Sequence, residues 1–555
     1  MQESDMGEIK REAGKETSWL RGAMVLGVSA LFSKVLGTIQ KIPLQNVAGD
    51  RVFGIYNAVY PFYQLLLFLA TSGIPVAVSL LVAQRMEADD QEGMRRVLRT
   101  GMLLLGLTGA ASFVLMWTGA ELAADWIGDR DTAAAIRMAA LALWFVPVTG
   151  ALRGYFQGQQ QMVPSAVSQI AEQTFRVAAM LVLLMVGMSA GWPQSHVAAG
   201  AMAGSAAGGA AGLLVMLVFW RRSDKLGRTK ADPCGGKGPA QHSDRRLLRN
   251  MAKLALPVAL GSVAVPIVGL VDAVTVPRLL RPGSAAEADV MTLFGLYSRG
   301  QPLVQLVVMV AGAAAAALVP ALAVARARGD MASLSQRTEL ALRFAWWIGA
   351  AAAVGLVLLA ESINVMLYAD NEQTLTFMLI GCTATAGTLN AVTAALLQGH
   401  GAVRLPVAIL LFAALLKVAL NAALVPAHGI VGAAYAGIAA FSAAALLGVA
   451  ATCRAAGVRL PARRYAACSG LALACMAAAL MLAERGTAAL LGPLSLPPRA
   501  AATVLALTGA AVGAAVFAAA LLRCGGISAR ELRALPGGAA LAARLRRWRL
   551  LPADE

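Results

Sequence analysis

The sequence is poor in charged, acidic and histidine side chains. Only 14% of its 555 residues are charged, 30 are Asp or Glu, and 4 are His. A soluble chain of this length needs polar surfaces on two or more domains, so the composition excludes an ordinary soluble protein. The histidines are scattered without metal-ligand spacing, and we predict no metal site and no cofactor.

Cysteine and catalytic motifs are also scarce. The six cysteines include no CxxC pair, so we expect neither a disulfide framework nor a zinc site. The glycine-rich run at 235–238 lacks the GxxxxGK[ST] pattern of a phosphate-binding loop. GxSxG occurs at 187–191, but it ends an apolar segment rather than joining a strand to a helix. We therefore predict that the protein is not an enzyme.

Long apolar segments dominate what is present. The chain is 58% hydrophobic with a mean hydropathy of +0.67, and runs of about 20 apolar residues match a bilayer core of about 30 Å. We predict an all-α polytopic membrane protein with about fourteen spans. The predicted spans cover residues 20–46, 56–84, 98–118, 133–156, 164–188, 195–220, 251–277, 294–324, 339–360, 373–397, 405–425, 430–452, 464–484 and 499–522.

The basic residues are distributed asymmetrically between the predicted loops. With both termini inside, 34 of the 47 Lys and Arg residues are cytoplasmic, 8 lie outside and 5 lie within spans. This pattern predicts a cell-membrane protein with cytoplasmic N and C termini. We expect the basic segments 221–253 and 523–549 to contact anionic lipids rather than nucleic acid. Lys34 and Lys41 interrupt the first apolar run, which favours a retained helix over a cleaved secretory signal.

The two halves of the sequence resemble one another. Each half has an even number of spans, so the repeats keep the same orientation and are related by a pseudo-two-fold axis along the membrane normal. Two six-helix lobes with a cavity between them are expected. The matches are Pro75 with Pro320, Gln157-Gly158 with Gln398-Gly399, Pro164 with Pro406, and Arg176 with Lys417, at offsets of 245, 241, 242 and 241. The predicted domains are an N-terminal lobe (1–220), a basic linker (221–250), a C-terminal lobe (251–452), a further helix pair (453–522) and a basic tail (523–555).

A few charged side chains fall inside the predicted spans. A cation at the bilayer centre costs about 3 kcal/mol, so these residues must face water, an acid or an anionic ligand. Glu172 and Arg176 have the i, i+4 spacing of an ion pair, and Asp272 is a mid-span acid in the seventh span. Surplus positive charge inside a membrane suits a pyrophosphate, which accepts charge-assisted hydrogen bonds. The candidate substrate-binding residues are Lys34, Lys41, Arg153, Arg176, Lys417 and Arg299, and the candidates for ion pairing or ion coupling are Glu172 and Asp272.

Three helix patterns accompany these charges. Lys34, Thr38, Lys41 and Gln45 recur at helical spacing and predict one polar face on the first helix. Tyr56, Tyr60 and Tyr63 suit either sugar contact or an interfacial aromatic belt, and we favour the belt. A glycine at every fourth position of the sixth span predicts close contact with another helix, and these residues are Gly200, Gly204, Gly208 and Gly212.

Several sequence runs resemble the stage V sporulation protein B group of polysaccharide biosynthesis proteins. The first half carries SKVLG at 33–37, KIPLQN at 41–46, GIYNAVYP at 54–61 and GIPVA at 73–77. A second block has RGYFQG at 153–158, MVP at 162–164, SQIAEQ at 168–173 and then Arg176. The likeness extends over about residues 18–460. Lys34, Lys41, Arg153, Glu172 and Arg176 match family positions, whereas Lys417 is placed only through the internal repeat.

The resemblance implies both a fold and a function. The group belongs to the multidrug/oligosaccharidyl-lipid/polysaccharide exporter superfamily and is similar to the MurJ lipid II flippases, which implies a two-lobe bundle with a cationic cavity. The expected substrate is an undecaprenyl-pyrophosphate-linked sugar precursor such as lipid II, for peptidoglycan or spore-cortex synthesis, and cell-wall synthesis proteins are conceivable partners. The alternatives are a drug/cation antiporter of the same fold, or a non-transporting scaffold in a sporulation or cell-wall complex.

Overall fold

The described part of the chain is built from helices. The computed structural model describes residues 22, 24–71, 73–229, 244–280, 289–458, 462–494 and 496–526, and its regular elements there are all α-helices or short 3-10 turns. Residues 230–243 of the predicted linker (221–250) and residues 527–555 of the predicted tail (523–555) lie outside the described residues. A long apolar segment in lipid satisfies its backbone polar groups within itself when it forms a helix, which accounts for this uniformity.

Two compact units divide the chain. The first comprises the described parts of Met1–Arg281 and Ala285–Gly295, and the second those of Pro282–Ser284 and Leu296–Glu555. The helices of the first unit are α1 (24–39), α2 (Lys41–Thr71), α3 (Ile74–Glu87), α4 (Gln91–Thr118), α5 (Ala120–Ile127), α6 (Thr132–Ala140), α7 (Val146–Gly158), α8 (Met162–Ser189), α9 (Gln194–Thr229) and α10 (Asp244–Leu279).

The second unit follows α11 (Val290–Ser298), whose last residues already belong to it. Among its described residues, one hydrophobic core is built mainly from α14, α15, α16, α18 and α19, and another from α12, α13, α14 and α16. Its helices are α12 (Gln301–Ala316), α13 (Val319–Ala327), α14 (Met331–Leu358), α15 (Ala360–Tyr368), α16 (Thr374–Gly399), α17 (Arg404–Ala456), α18 (Ala462–Leu491) and α19 (Pro498–Arg523).

The helices have the length and composition of membrane spans. Eleven helical segments among the described residues can cross a bilayer. Two of them are interrupted, because Gly49 and Gly429 have the non-helical backbone angles that glycine adopts most easily. Residues 24–87 and 404–456 therefore each supply two spans, and α10 adds a further apolar helix of 36 residues. The chain is a multi-pass membrane protein, and the number of helices agrees with the expected count of about fourteen.

The internal repeat is visible in the helix lengths and helix ends. Both α4 and α14 contain 28 residues, and they begin 240 positions apart, at Gln91 and Met331. Asp90 and Asp330 cap them by accepting hydrogen bonds from backbone N–H groups, at 2.7 and 3.0 Å. The two interhelix turns before these caps each contain a left-handed residue, Asp89 and Gly329. This correspondence confirms the predicted internal repeat along the sequence.

The compact units do not coincide with the predicted lobes. α10 would open the second lobe by its order in the sequence, but it packs against α2 and α3 of the first unit. The contact is close, because a Cβ on Gly73 would lie 2.3 Å from the carbonyl oxygen of Ala255. The repeat is a correspondence between positions in the sequence, whereas the compact units are defined by which helices pack together. The domain limits at 220 and 251 describe where the sequence repeats begin and end, and they stay a prediction.

Candidate functional site

The glycine face of α9 holds the charged face of α8 in place. A Cβ on Gly204 would lie 2.7 Å from the carbonyl oxygen of Arg176, and one on Gly208 would lie 2.5 Å from that of Glu172. Only glycine permits this distance between helix backbones. The predicted close packing of the glycine positions is confirmed, and its consequence is to fix Glu172 and Arg176 on the interior side of α8.

Glu172 is shared by two arginines. Arg176 donates to Glu172 Oε1 at 3.1 Å, and Arg153 from α7 donates to Glu172 Oε2 at 2.9 Å. Arg153 also donates to the Ser168 hydroxyl at 2.9 Å, and that hydroxyl donates to the carbonyl oxygen of Gly212 at 2.9 Å. The predicted Glu172–Arg176 pair is present. The contact with Arg153 was not foreseen, because α7 and α8 are separate in sequence and spacing alone does not set their register.

The resulting Arg153–Glu172–Arg176 triad is mostly shielded from solvent. Its side chains are 20%, 13% and 12% exposed, respectively. Charges in such a place are stable only when they are paired and hydrogen-bonded. One carboxylate opposes two guanidinium groups, so the triad keeps a formal charge of +1. It can accept one further anionic ligand without leaving an arginine unsatisfied.

Lys41 extends this positive region along α2. Helix α2 begins at Lys41, directly after a turn at Gln40. The ammonium group of Lys41 donates to Asn57 Oδ1 at 3.0 Å. The same ammonium lies 5.9 Å from the centre of the Tyr60 ring, within cation–π range. These contacts orient the Lys41 side chain towards the tyrosine face of α2.

Three tyrosines connect Lys41 to the triad. The rings of Tyr56 and Tyr60 are stacked at 5.9 Å, and those of Tyr60 and Tyr63 are 6.1 Å apart. All three lie within electrostatic range of Arg176. The predicted interfacial belt is wrong for Tyr56 and Tyr63, which are only 2% and 1% exposed. Their rings form part of an interior site, which we call the cationic cluster and define as Lys41, Tyr56, Tyr60, Tyr63, Arg153, Ser168, Glu172 and Arg176.

The predicted polar face of the first helix carries side chains in different environments. Lys34 and Lys41 lie on either side of a turn at Gln40, and helical hydrogen bonds continue across it from the Gln40 N–H to the Leu36 carbonyl and from the Leu44 N–H to the Gln40 carbonyl. Lys34 is exposed, whereas Thr38 is buried and donates to its own helix backbone. Gln45 donates to Asp50 Oδ2 at 3.1 Å. Lys34 therefore remains a predicted substrate contact outside the cationic cluster as defined.

Lys417 occupies a buried position in the second unit. Its side chain is 2% exposed, and its ammonium lies 4.9 Å from the centre of the Phe441 ring. It lies in the first half of α17, which corresponds to α8 in the repeat. Lys417 matches Arg176 at the offset of 241, and the position matching Glu172 is Ala413. The second unit thus carries the cation of the repeat without the acid that α8 places one turn before it.

Arg299 forms a buried ion pair within the second unit. Its guanidinium binds both carboxylate oxygens of Asp370, at 2.5 and 2.9 Å, and packs 5.1 Å from the centre of the Tyr368 ring. Burial would raise the pKa of Asp370, but hydrogen bonds from Arg299 and from the Glu372 backbone N–H outweigh this and hold it below its usual value. Arg299 is 1% exposed. These contacts are typical of a structural ion pair, and a role of Arg299 in substrate binding stays a prediction.

Asp272 lies in α10 of the first unit and is 7% exposed. Thr275, one turn further, donates to the backbone of Val271 at 2.6 Å. The burial of an acid within a membrane helix is costly and is typical of functional positions. A role of Asp272 in ion coupling stays a prediction.

The sequence comparisons place the protein in a family. The model of the polysaccharide biosynthesis protein family matches residues 19–325. This chain belongs to that family. Among Bacillus subtilis (strain 168) proteins, it is 30% identical to the uncharacterized membrane protein YabM, over 96% of this chain and 98% of the relative. It is 27% identical to lipid II flippase MurJ, over 73% and 77%, and 23% identical to stage V sporulation protein B, over 64% and 67%.

Solved structures show the fold of this polysaccharide biosynthesis protein. An inward closed structure of lipid II flippase MurJ matches with a TM-score of 0.63 at 13% identity, covering 90% of this chain and all of that one. An inward-facing transporter of the MATE family and MOP superfamily matches with a TM-score of 0.62 at 14% identity, covering 77% and 94%. The predicted resemblance to polysaccharide biosynthesis proteins and the predicted MATE/MurJ-like fold are confirmed.

Proposed function

We propose that the protein is a flippase that moves an undecaprenyl-pyrophosphate-linked cell-wall sugar precursor across the cytoplasmic membrane by alternating access. The family assignment and the likeness to a lipid II flippase support transport of a lipid-linked molecule. The excess of basic residues in the predicted cytoplasmic loops supports cytoplasmic N and C termini. The wall precursor itself is the part of the proposal that needs a direct test.

The charge of the cationic cluster carries the proposal. Lys41, Arg153 and Arg176 supply three positive charges, and Glu172 supplies one negative charge. Guanidinium groups bind phosphate oxygens in pairs, while a lysine acts as a point charge. A pyrophosphate fits this surplus, and the nearby tyrosine rings offer flat apolar faces to a sugar. The polyprenyl chain stays in the bilayer throughout.

Glu172 gives the site a way to release what it binds. A phosphate oxygen replaces the carboxylate as the partner of Arg153, and Glu172 remains with Arg176. When the headgroup leaves, Glu172 returns to Arg153 and the triad is satisfied again. The driving force is either the membrane potential, worth about 2.3 kcal/mol per charge per 100 mV, or a cation exchanging at Asp272 or Glu172.

The rival functions require different chemistry. An antiporter for cationic drugs needs an acid that is available to its substrate, but both oxygens of Glu172 are engaged by arginines and Asp272 is only 7% exposed. A non-transporting scaffold in a sporulation or cell-wall complex needs no cationic cluster within a membrane unit. Both rivals predict that removing the cations leaves lipid-pyrophosphate binding unchanged.

Binding of a lipid pyrophosphate to the purified protein tests the proposal. We expect undecaprenyl pyrophosphate or lipid II to bind, and the substitutions Lys41→Ala, Arg153→Gln and Lys34→Ala to weaken binding. Arg96→Ala is the matched control, because Arg96 forms an exposed pair with Glu92 on the surface of α4. The same variants should fail to rescue wall synthesis in a strain depleted of its lipid II flippase. If the cation variants bind and rescue like the control, the proposed mechanism is wrong.

A further inference from the structure

A groove lies on the surface of the second unit, between the two halves of α17. Its volume is about 640 Å³. Its lining is apolar except for Arg454, and Leu405, Phe412 and Leu447 are between 41% and 46% exposed. These side chains occur at helical spacing on both halves, so the groove runs along the helix axes. The residues that line the groove include Leu405, Ala408, Phe412, Leu447, Ala451 and Arg454.

Two arginines mark one end of the groove. α17 contains Pro426 and the non-helical Gly429, where the chain reverses between its two spans. Arg404 begins the first half and Arg454 lies near the end of the second, so both are at the same membrane face. Both side chains are exposed. The groove is therefore apolar along its length and positively charged at one end, which we call its mouth. The mouth lies at the face predicted to be cytoplasmic.

The surrounding sequence has no acid to neutralise this mouth. Residues 373–483 contain neither Asp nor Glu. The charge of this region is therefore entirely positive. Its basic residues are Arg404, Lys417, Arg454, Arg459, Arg463 and Arg464. A cluster of basic residues directly beside a membrane helix attracts anionic lipid headgroups.

We propose that the groove is a binding site for one anionic phospholipid. An acyl chain lies along Ala408 and Ala451 between the two halves of α17, and the phosphate group contacts Arg454 and Arg404. The apolar lining disfavours a sugar or a soluble peptide, because it offers their polar groups few hydrogen-bond partners. The positive mouth favours an anionic headgroup over a zwitterionic one. This site is a property of the second unit alone and does not depend on which molecule the protein transports.

Lipid retention by the purified full-length protein tests the site. The protein in detergent is titrated with phosphatidylglycerol or phosphatidylcholine of identical chains, and bound lipids are counted by native mass spectrometry. We expect phosphatidylglycerol to be retained preferentially. Arg454→Gln should weaken its retention about five-fold, since one basic residue near a membrane surface contributes about that factor. Arg454→Lys should retain most of the binding.

Two matched variants separate the headgroup from the chain. Arg328→Gln removes an exposed arginine from the turn before α14, which lies at the same predicted face, and should leave retention unchanged. Ala451→Trp fills the groove and should lower retention of both lipids, with an unchanged melting temperature showing that the protein is folded. Equal retention of the two lipids, or equal effects of Arg454→Gln and Arg328→Gln, would overturn the proposal. Displacement of phosphatidylglycerol by an equimolar polyprenyl phosphate would identify the substrate tail as the occupant instead.

Discussion

The two repeats share a fold but place their charges differently. In the first, α7 and α8 carry Arg153, Ser168, Glu172 and Arg176, which form one connected network. In the second, an offset of 241 places Ala394, Ile409, Ala413 and Lys417 at the matching positions. The helices and their caps have been kept while three of the four polar positions have become apolar. Helix packing therefore constrains this architecture more strongly than the chemistry inside it.

Helix contacts differ in the same way. α9 presents Gly200, Gly204, Gly208 and Gly212 to α8, and the backbones come close together. The second half of α17 has glycines at 432, 437 and 448, without the four-residue spacing. Where the first unit has a closed polar contact, the second has the apolar groove between the halves of α17. The four-residue glycine spacing thus accompanies the close helix contact in the first unit, and its absence accompanies the open groove in the second.

The largest effect is expected from breaking the triad of the first unit. Glu172→Gln leaves Arg153 and Arg176 without their carboxylate in a shielded place, and we expect a loss of about 3 kcal/mol in the free energy of unfolding. The melting temperature in detergent measures it. Glu92→Gln on α4 is the control, because Glu92 is 85% exposed in its pair with Arg96. An unchanged melting temperature for Glu172→Gln would show that the triad does not stabilise the unit.

A second comparison concerns the aspartates that follow α5 and α15. Asp129 and Asp370 are 241 positions apart, and each accepts a hydrogen bond of 2.9 Å from the backbone N–H two residues later. Asp370 binds the buried Arg299, whereas Asp129 shares the half-exposed Arg51 with Asp131 and Asp289. The two aspartates occupy matching positions in the repeat. They differ in how much their arginine depends on them, since Arg51 has two other acidic partners.

Asp370→Asn should therefore cost more than Asp129→Asn. We expect about 2 kcal/mol for the first, because a buried arginine loses a carboxylate that binds it through two hydrogen bonds, and under about 0.5 kcal/mol for the second. Chemical unfolding of both variants in detergent measures the difference. Because the pKa of Asp370 is lowered in the folded protein, its contribution is present at neutral pH and is lost as the pH falls through that pKa. Equal losses in the two variants would contradict this assignment.

Transplanting the acid into the second unit tests what Lys417 does. Ala413→Glu places a carboxylate one turn before Lys417, at the i, i+4 spacing that Glu172 has to Arg176. If Lys417 attracts the anionic substrate, neutralising it should lower transport about ten-fold, which corresponds to about 1.4 kcal/mol. Ala413→Gln controls for the added volume. Reconstituted vesicles with a labelled lipid pyrophosphate provide the assay, and equal transport by the two variants would exclude an electrostatic role for Lys417.

The sequence predicted the membrane architecture, the repeat and the Glu172–Arg176 pair, because each depends on spacing within a helix or on regular apolar length. It did not predict the contact of Arg153 with Glu172 or of Arg299 with Asp370. These contacts join separate helices, and their register depends on how the helices pack. The burial of Tyr56 and Tyr63 was missed for a related reason, since an aromatic residue near a span end has the same composition signal whether it faces lipid or the interior.

The smallest effects are expected from replacing one glycine in each unit, Gly208 and Gly437, with alanine. The two changes in stability should have opposite signs. An added Cβ on Gly208 would lie 2.5 Å from the carbonyl oxygen of Glu172, whereas one on Gly437 would lie 3.7 Å from the Lys417 ammonium, an ordinary contact distance. Replacing a helical glycine with alanine gains about 1 kcal/mol in helix propensity. In Gly437→Ala this gain should raise the melting temperature slightly. In Gly208→Ala the steric cost of separating α8 from α9 should exceed the gain and leave a net loss of about 1 kcal/mol. If both variants are stabilised, α8 and α9 can separate without cost, and the glycine face does not hold the cationic cluster in place.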